Sequence, residues 1–364
     1  MKKPQIRILD RYIIKKFIGT YFFTVLLTVL IFIVFDLSEK IEKFVSNSAP
    51  LKEIVFEYYA GFTCWLLNSF SPLLVFISVI FFTSKLSQHS EMVAMLAGGI
   101  SFKRILKPYM ISAGIIAALS LGLGLYVIPS ANQHRLDFEN KYVKVQKTTS
   151  GQRNIHYQLS PGEFVYVEQF SQWSNTAYRF TLESVKNNRL TSKLSAESAT
   201  WDTTFNGWKL NTYFKRDLYG ESEVMTYGRT CDTITSLTVD DFYRRKNIVE
   251  SLPEKELNDL IALQKMRGDD MVKYALIEKN TRIATPFSAF ILTIMAVSLC
   301  SKKKRGGLGL NIGVGLALSF SYILFQRFSQ MFVMTGALPP VVALWLPNIL
   351  YACIAYGLYK FAPK

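Results

Sequence analysis

Glu91 is the residue whose setting asks for a function, and that function is contact, not catalysis. It lies in the stretch Ser84–Pro108, SKLSQHSEMVAMLAGGISFKRILKP, between two long apolar runs. Ser87 and Ser90 can each cap a helix start, Glu91 puts a carboxylate in the first turn, and Gly98-Gly99 can release the backbone at the end. Met92, Met95 and Leu96 then fall on one face of a helix too short to span a bilayer, a Met-rich side adaptable enough to dock on another protein. The plainer alternative is a surface turn in which Glu91 only complements its own helix dipole.

Catalytic patterns are missing. The chain has no GxxxxGK[ST] phosphate loop, no GxSxG elbow and no HExxH, and no paired carboxylates stand inside an apolar run. GGLGL (306–310) follows four basic residues and no strand, so it reads as a flexible entry to a helix and not as a phosphate cradle. His89, His134 and His156 are scattered, without the spacing of a metal site. No cofactor and no metal are expected. Of the cysteines, Cys64, Cys300 and Cys353 lie in apolar runs and Cys231 outside them, so no structural disulfide is expected. A chain without a nucleotide site must draw energy from a separate ATPase.

The elements around this stretch follow from composition. Half of the 364 residues are hydrophobic, and they are bunched. Runs long enough to cross hydrocarbon, roughly 20 residues each, occupy about 17–35, 59–83, 105–128, 283–300, 308–333 and 338–361, which predicts six transmembrane helices. The first run lacks a small-residue cleavage site and reads as an uncleaved span. Ahead of it, Ile6, Leu9, Ile13, Ile14 and Phe17 are spaced as in an interfacial helix along the inner leaflet.

Lys2, Lys3, Arg7, Arg11, Lys15 and Lys16, then Lys85, Lys103, Arg104 and Lys107, then SKKKRGG (301–307), and finally Lys360 and Lys364 all fall on one side of the six spans. By the positive-inside rule that side is cytoplasmic, with both termini inside. The net charge of +15 is thereby explained largely as topology. A nucleic-acid partner is disfavoured, because no basic and aromatic surface is interleaved with these clusters. The spans are nearly free of Asp, Glu, Lys and Arg, which disfavours an ion-coupled transporter with a buried charge relay.

The expected domains are 1–130, with three spans and the short helix at about 87–99; 131–272, an outer β domain and connector helix; and 273–364, with three further spans. Pro72 inside the second span suits a helix lining a cavity, or is a tolerated kink. Small residues along the third span, among them Ser112, Gly114, Ala117 and Gly122, permit close helix contact. Strands are predicted at 163–170, 178–185, 192–202, 207–216 and 233–239, with turns at Asn187-Asn188 and Asn206-Gly207. They suggest a sandwich, jelly roll or open barrel holding either an apolar lipid groove or an ordinary core. Pro253 opens a connector helix striped with Leu257, Leu260, Ile261 and Leu263. Arg135 and Arg327, near the outer ends of spans three and five, stand at the depth of lipid phosphates and are weak substrate-binding candidates; boundary arginines also simply snorkel.

LDRYIIKKFIGTYFFT (9–24), the run 71–110, TRIATPFSAF (281–290) and GALPPVVALWLPNIL (336–350) together resemble the lipopolysaccharide-export permease family of the LptF/LptG type. The likeness covers both membrane halves; the β domain matches in position and type. It implies an inner-membrane, multi-pass subunit of an ABC transporter that extracts lipopolysaccharide and passes it to periplasmic bridge proteins. A cytoplasmic ATPase dimer would drive it, and a second permease subunit, paralogue or self, would accompany it. It further implies a jelly-roll periplasmic domain, a lateral opening for lipid at spans one and five, and a short cytoplasmic helix seated in the ATPase, whose important glutamate matches Glu91. One departure stands out: Phe35 and Asp36 occupy the outer end of span one where some members carry cations for the lipid's phosphates, with Lys40 and Lys43 only beyond. Two other readings stay open, a mechanotransmitting ABC subunit, which should have four spans, and a non-transport scaffold, which should have no use for an ATPase-docking helix.

Overall fold

The computed structural model describes residues 8–143, 153–171, 173–220, 222–243, 246–301 and 307–362. Lys2, Lys3, Arg7, Lys364 and most of the 301–307 basic run lie outside them. The described chain forms two compact units, one of Met1–Val143, Glu250–Glu254 and Leu276–Lys364, the other of Lys144–Val249 and Lys255–Ala275.

The first unit is helical. Six of its helices are long and apolar enough to cross a membrane: Ile8–Ser46, Leu51–Gln88, Phe102–Val143, Val272–Cys300, Ile312–Met334 and Pro340–Lys360. These are the six expected spans, and the first four reach beyond the expected runs. The segment expected as a separate interfacial helix is instead, from Ile8 on, the start of one unbroken 39-residue helix with the first span. Nothing between Ile8 and Phe17 breaks it: there is no Pro or Gly, and Ile13 and Phe17 are buried on the same face as Tyr21. The third helix likewise runs past Pro129, which sits at its own helix start after a π-turn at Leu123–Val127, and ends in a second π-turn, Glu139–Val143. The expected polar boundary at 131 therefore falls inside a helix.

One core joins the spans, with Ile13 and Phe17 from the first, Val79 and Leu86 from the second, Ile105 and Tyr109 from the third, and Leu292 and Val297 from the fourth. Small residues set the closest approaches. A methyl group at Gly61 would lie 2.3 Å from the Ala131 carbonyl oxygen, and one at Gly315 would lie 2.0 Å from Ile80 Cδ1. The second and fourth spans are the most buried, at 61% and 67% of their apolar windows, and the first and fifth the least, at 17% and 22%.

The second unit is a six-stranded antiparallel sheet: β1 (Arg153–Ser160), β2 (Glu163–Ser171), β3 (Thr176–Lys186), β4 (Arg189–Asp202), β5 (Gly207–Tyr219) and β6 (Ser222–Thr233). The order is β1-β2-β3-β4-β5-β6, each strand paired with its sequence neighbour. The inserted domain is β, as expected, and its described strands form one antiparallel meander. The run expected as a strand at 233–239 is not one, since β6 ends at Thr233, while Ser222–Thr233, too polar to be flagged, pairs along the whole of β5.

Asn187 and Asn188 both have positive φ, 51° and 61°, and join Lys186 to Arg189 in a two-residue hairpin of the primed kind. Inward residues Val165, Val167, Phe170, Phe180, Trp208 and Leu210 form a filled core, closed by Phe242, whose ring stacks 4.2 Å from that of Phe170. The connector helix Glu254–Arg267 buries Leu257 and Ile261 on the expected stripe.

Candidate functional site

Glu91 opens a short helix, Glu91–Ala97, between the second and third spans. The start is tighter than the sequence suggests. Ser87 is still inside the second span's helix, and Ser90, the N-cap, has a left-handed φ of 59° with no side-chain cap bond. The end follows the Gly98-Gly99 signal closely: Gly99 takes φ +81°, its N–H donates to the Leu96 carbonyl, and Ile100 N–H donates to the Met95 carbonyl. That pair of reversed bonds is a Schellman motif, which needs the left-handed residue glycine supplies. Ser101 then caps the third span by accepting from Arg104 N–H.

The apolar stripe faces inward. Met92 is fully buried in the inter-span core, with Met95 and Leu96 packed against it. Read from spacing alone this stripe was a surface for another protein; in the fold it is the helix's own attachment, because a seven-residue helix cannot hold to the bundle without one. Val93, Ala94, Ala97 and Gly98 form the outward side.

Two contacts that span long stretches of sequence hold this corner. Tyr12 Oη donates to Glu91 Oε2 at 3.0 Å. Arg104 places Nη1 and Nη2 on Asp10 Oδ1 and Oδ2 at 2.6 and 2.8 Å. Sequence patterns could not reveal Tyr12, Asp10 and Arg104 as partners, since the pairs are 79 and 94 residues apart. Asp10 at 4% exposure, like Arg282 and Glu139, lies in the lengthened ends of span helices and not in the apolar runs read as nearly charge-free.

Arg135 is not an outward-facing arginine. It is 7% exposed, its guanidinium lies 4.9 Å from the Trp65 ring centre, and Nη1 is 3.9 Å from Glu139. The helix continues through Arg135 and rotates it into the bundle, which a reading of 131 as a boundary could not foresee. Arg327 is exposed, with Nη1 3.5 Å from Gln330 Oε1, on the same exposed side as Leu324, Phe328 and Met331. At the far end of the first span, Lys40 pairs with Asp36 at 2.6 Å and donates to the Tyr58 hydroxyl, which itself donates to Asp36 Oδ2 at 2.8 Å. Lys40 also lies 4.9 Å from the Tyr58 ring centre. Among the described residues no group of three or more His, Cys, Asp or Glu is arranged to hold a metal ion.

Residues 11–360 match the family model described as "Lipopolysaccharide export system permease LptF/LptG". The chain is also 24% identical over 360 residues to the lipopolysaccharide export system permease protein LptG of Escherichia coli K12, covering 96% of this chain and 97% of the relative. The LptG of E. coli O6:H1 (strain CFT073) matches to the same extent. With six spans, an inserted β domain and a family match along nearly its whole length, the chain belongs to the LptF/LptG family of lipopolysaccharide export permeases.

Proposed function

We propose that this chain is a permease subunit of an ABC transporter that extracts lipopolysaccharide from the inner membrane and passes it to periplasmic bridge proteins. The observation that carries the proposal is the family match over residues 11–360. The chain supplies membrane helices and a β domain; a separate cytoplasmic ATPase dimer supplies the energy, and a second permease subunit, paralogue or self, completes the lipid path. Six spans argue against a four-span mechanotransmitter. The weakly buried first and fifth spans leave long apolar faces, including Phe22, Leu26, Leu30 and Val34 on one and Phe320, Leu324 and Phe328 on the other, that suit lipid or a second permease. Arg327, on the latter face, is the better remaining candidate for a lipid phosphate.

In this reading both termini and Glu91–Ala97 are cytoplasmic and the β domain is periplasmic, as the distribution of lysine and arginine favours. Glu91 and the outward Val93, Ala94 and Ala97 meet the ATPase, while Met92, Met95 and Leu96 carry its movement into the core shared by the spans. A scaffold would need no such helix. The test is co-purification of the ATPase and ATP-dependent lipid release for Glu91→Ala and Ala94→Asp at normal membrane abundance. Loss of both is expected, since truncating an interfacial charge whose partner is left buried costs roughly 2 to 5 kcal/mol; wild-type behaviour in both variants would refute the coupling role.

A further inference from the structure

A groove of about 490 Å³ opens beside the first span, lined by Tyr12, Lys15, Lys16, Gly19, Thr20 and Phe23, with Phe81 from the second span. Its composition is graded. Lys15 and Lys16 lie toward the helix start, and both are exposed. One to two turns further along, Gly19, Phe23 and Phe81 make an apolar floor and walls, with Phe23 62% and Phe81 42% exposed. Position 19 faces open space in this groove: a methyl group there would meet nothing within 4 Å. Thr20 turns its hydroxyl back onto the Lys16 carbonyl at 2.8 Å, so it adds little polarity to the apolar part.

Two cations at one end and aromatic rings at the other match one class of ligand, an anionic amphiphile lying along the span. The lysines sit where the headgroup phosphate of a phospholipid would be, and Gly19, Phe23 and Phe81 where its first acyl carbons would be. An inorganic anion would leave the aromatic end without a partner. We propose that this groove binds an anionic phospholipid of the cytoplasmic leaflet. The proposal rests on the six spans and on the cytoplasmic placement of the first helix's start, not on the ATPase-coupling role of Glu91. It does touch that role in one place: Tyr12, which lines the groove, donates to Glu91, so an occupied groove meets the side chain that holds the short helix.

The test is native mass spectrometry of the full-length chain titrated with phosphatidylglycerol or phosphatidylcholine. The wild type is expected to retain one phosphatidylglycerol in preference to phosphatidylcholine. Lys15→Gln with Lys16→Gln should lower phosphatidylglycerol affinity roughly thirtyfold and abolish the preference. Gly19→Leu fills the groove where there is space and replaces a poor helix former with a good one, so it should lose the bound lipid without loss of fold. Gly313→Leu, equally open on the fifth helix, is the control and should retain it. Unchanged phosphatidylglycerol retention in either groove variant would overturn the proposal, as would equal loss in Gly313→Leu. ATPase stimulation is read separately, so failure of lipid binding and failure of coupling remain distinguishable.

Discussion

Asp10 and Arg104 form a two-pronged ion pair, Nη1 to Oδ1 at 2.6 Å and Nη2 to Oδ2 at 2.8 Å, joining the start of the first span to the start of the third. With Tyr12, two residues further along the same helix, on Glu91, it ties both sides of the short helix to the same part of the first span. A displacement of Glu91–Ala97 therefore loads the first span through polar contacts as well as through Met92. The Asp10 side chain is 6% exposed and that of Arg104 29%, so the pair is only partly shielded from water.

Removing the guanidinium should cost more than removing a neighbouring charge. Arg104→Ala deprives a buried carboxylate of its two-pronged partner and is expected to lower the unfolding midpoint, by less than for a fully buried pair because Arg104 reaches solvent. Lys103→Ala, on an exposed neighbour, should change little. A double-mutant cycle with Asp10→Ala, read by thermal unfolding in detergent, should return effects that are not additive; additive effects would show that the pair does not hold this corner.

Two glycines in close contacts should respond differently to alanine. At Gly61 the added methyl meets backbone, the Ala131 carbonyl oxygen at 2.3 Å, and Arg135 Cβ at 2.7 Å. Neither can step aside without moving the third helix, so Gly61→Ala should destabilise by about 1 to 3 kcal/mol. At Gly315 the nearest atom is Cδ1 of Ile80, the end of a flexible side chain, and the gain in helix propensity of about 1 kcal/mol offsets the rearrangement. Unfolding midpoints of the two variants in the same detergent check the order.

How much of this was legible depends on the distance over which each signal acts. The spans could be read because about twenty consecutive residues share one property, and the Asn187-Asn188 turn because two adjacent residues carry it. The first and third helices extend beyond the apolar runs 17–35 and 105–128 for a common reason: polar residues such as Asp10 and Arg135 look like boundaries until the partners that bury them, Arg104 and Trp65, are known. Periodicity places Met92, Met95 and Leu96 on one apolar side of the helix but does not say whether its own chain covers that side, as it does here. Strand β6 escaped because its residues are nearly all exposed, so the alternation that marks a half-buried strand is absent.

The Asn187-Asn188 hairpin offers a small stabilisation. Both residues hold a left-handed backbone that asparagine tolerates and glycine prefers. Asn188→Gly is expected to raise stability of the β domain by about 0.5 kcal/mol, and replacing both asparagines with alanine to lower it by about 1 to 2 kcal/mol. Denaturant unfolding followed by tryptophan fluorescence of the full chain reads both, since Trp208 is fully buried in this sheet's core.

Arg267, at the end of the connector helix, forms a buried ion pair with Asp241. Arg267 Nη1 lies 2.8 Å from Asp241 Oδ1, with side chains 5% and 4% exposed. Asp241 also accepts from Thr238 N–H at 3.0 Å, and the guanidinium lies 5.9 Å from the Tyr157 ring centre. Burial of both ions means that the pair itself adds little net stability, whereas loss of one partner leaves a charge in a low-dielectric interior. Arg267→Ala should therefore cost about 3 to 5 kcal/mol, more than Arg267→Ala with Asp241→Asn together. Arg267→Lys should recover only part of the loss, because an ammonium cannot also reach the Ser236 carbonyl that Nη2 approaches at 3.4 Å while lying over the ring. Limited trypsinolysis of the chain in vesicles and the fluorescence of Trp208 report this loss, because Trp208 Nε1 donates to the Leu237 carbonyl at 2.8 Å within the same corner of the domain. If the single and double variants unfold at the same denaturant concentration, the cost lies in lost packing of the arginine stem and not in the stranded carboxylate.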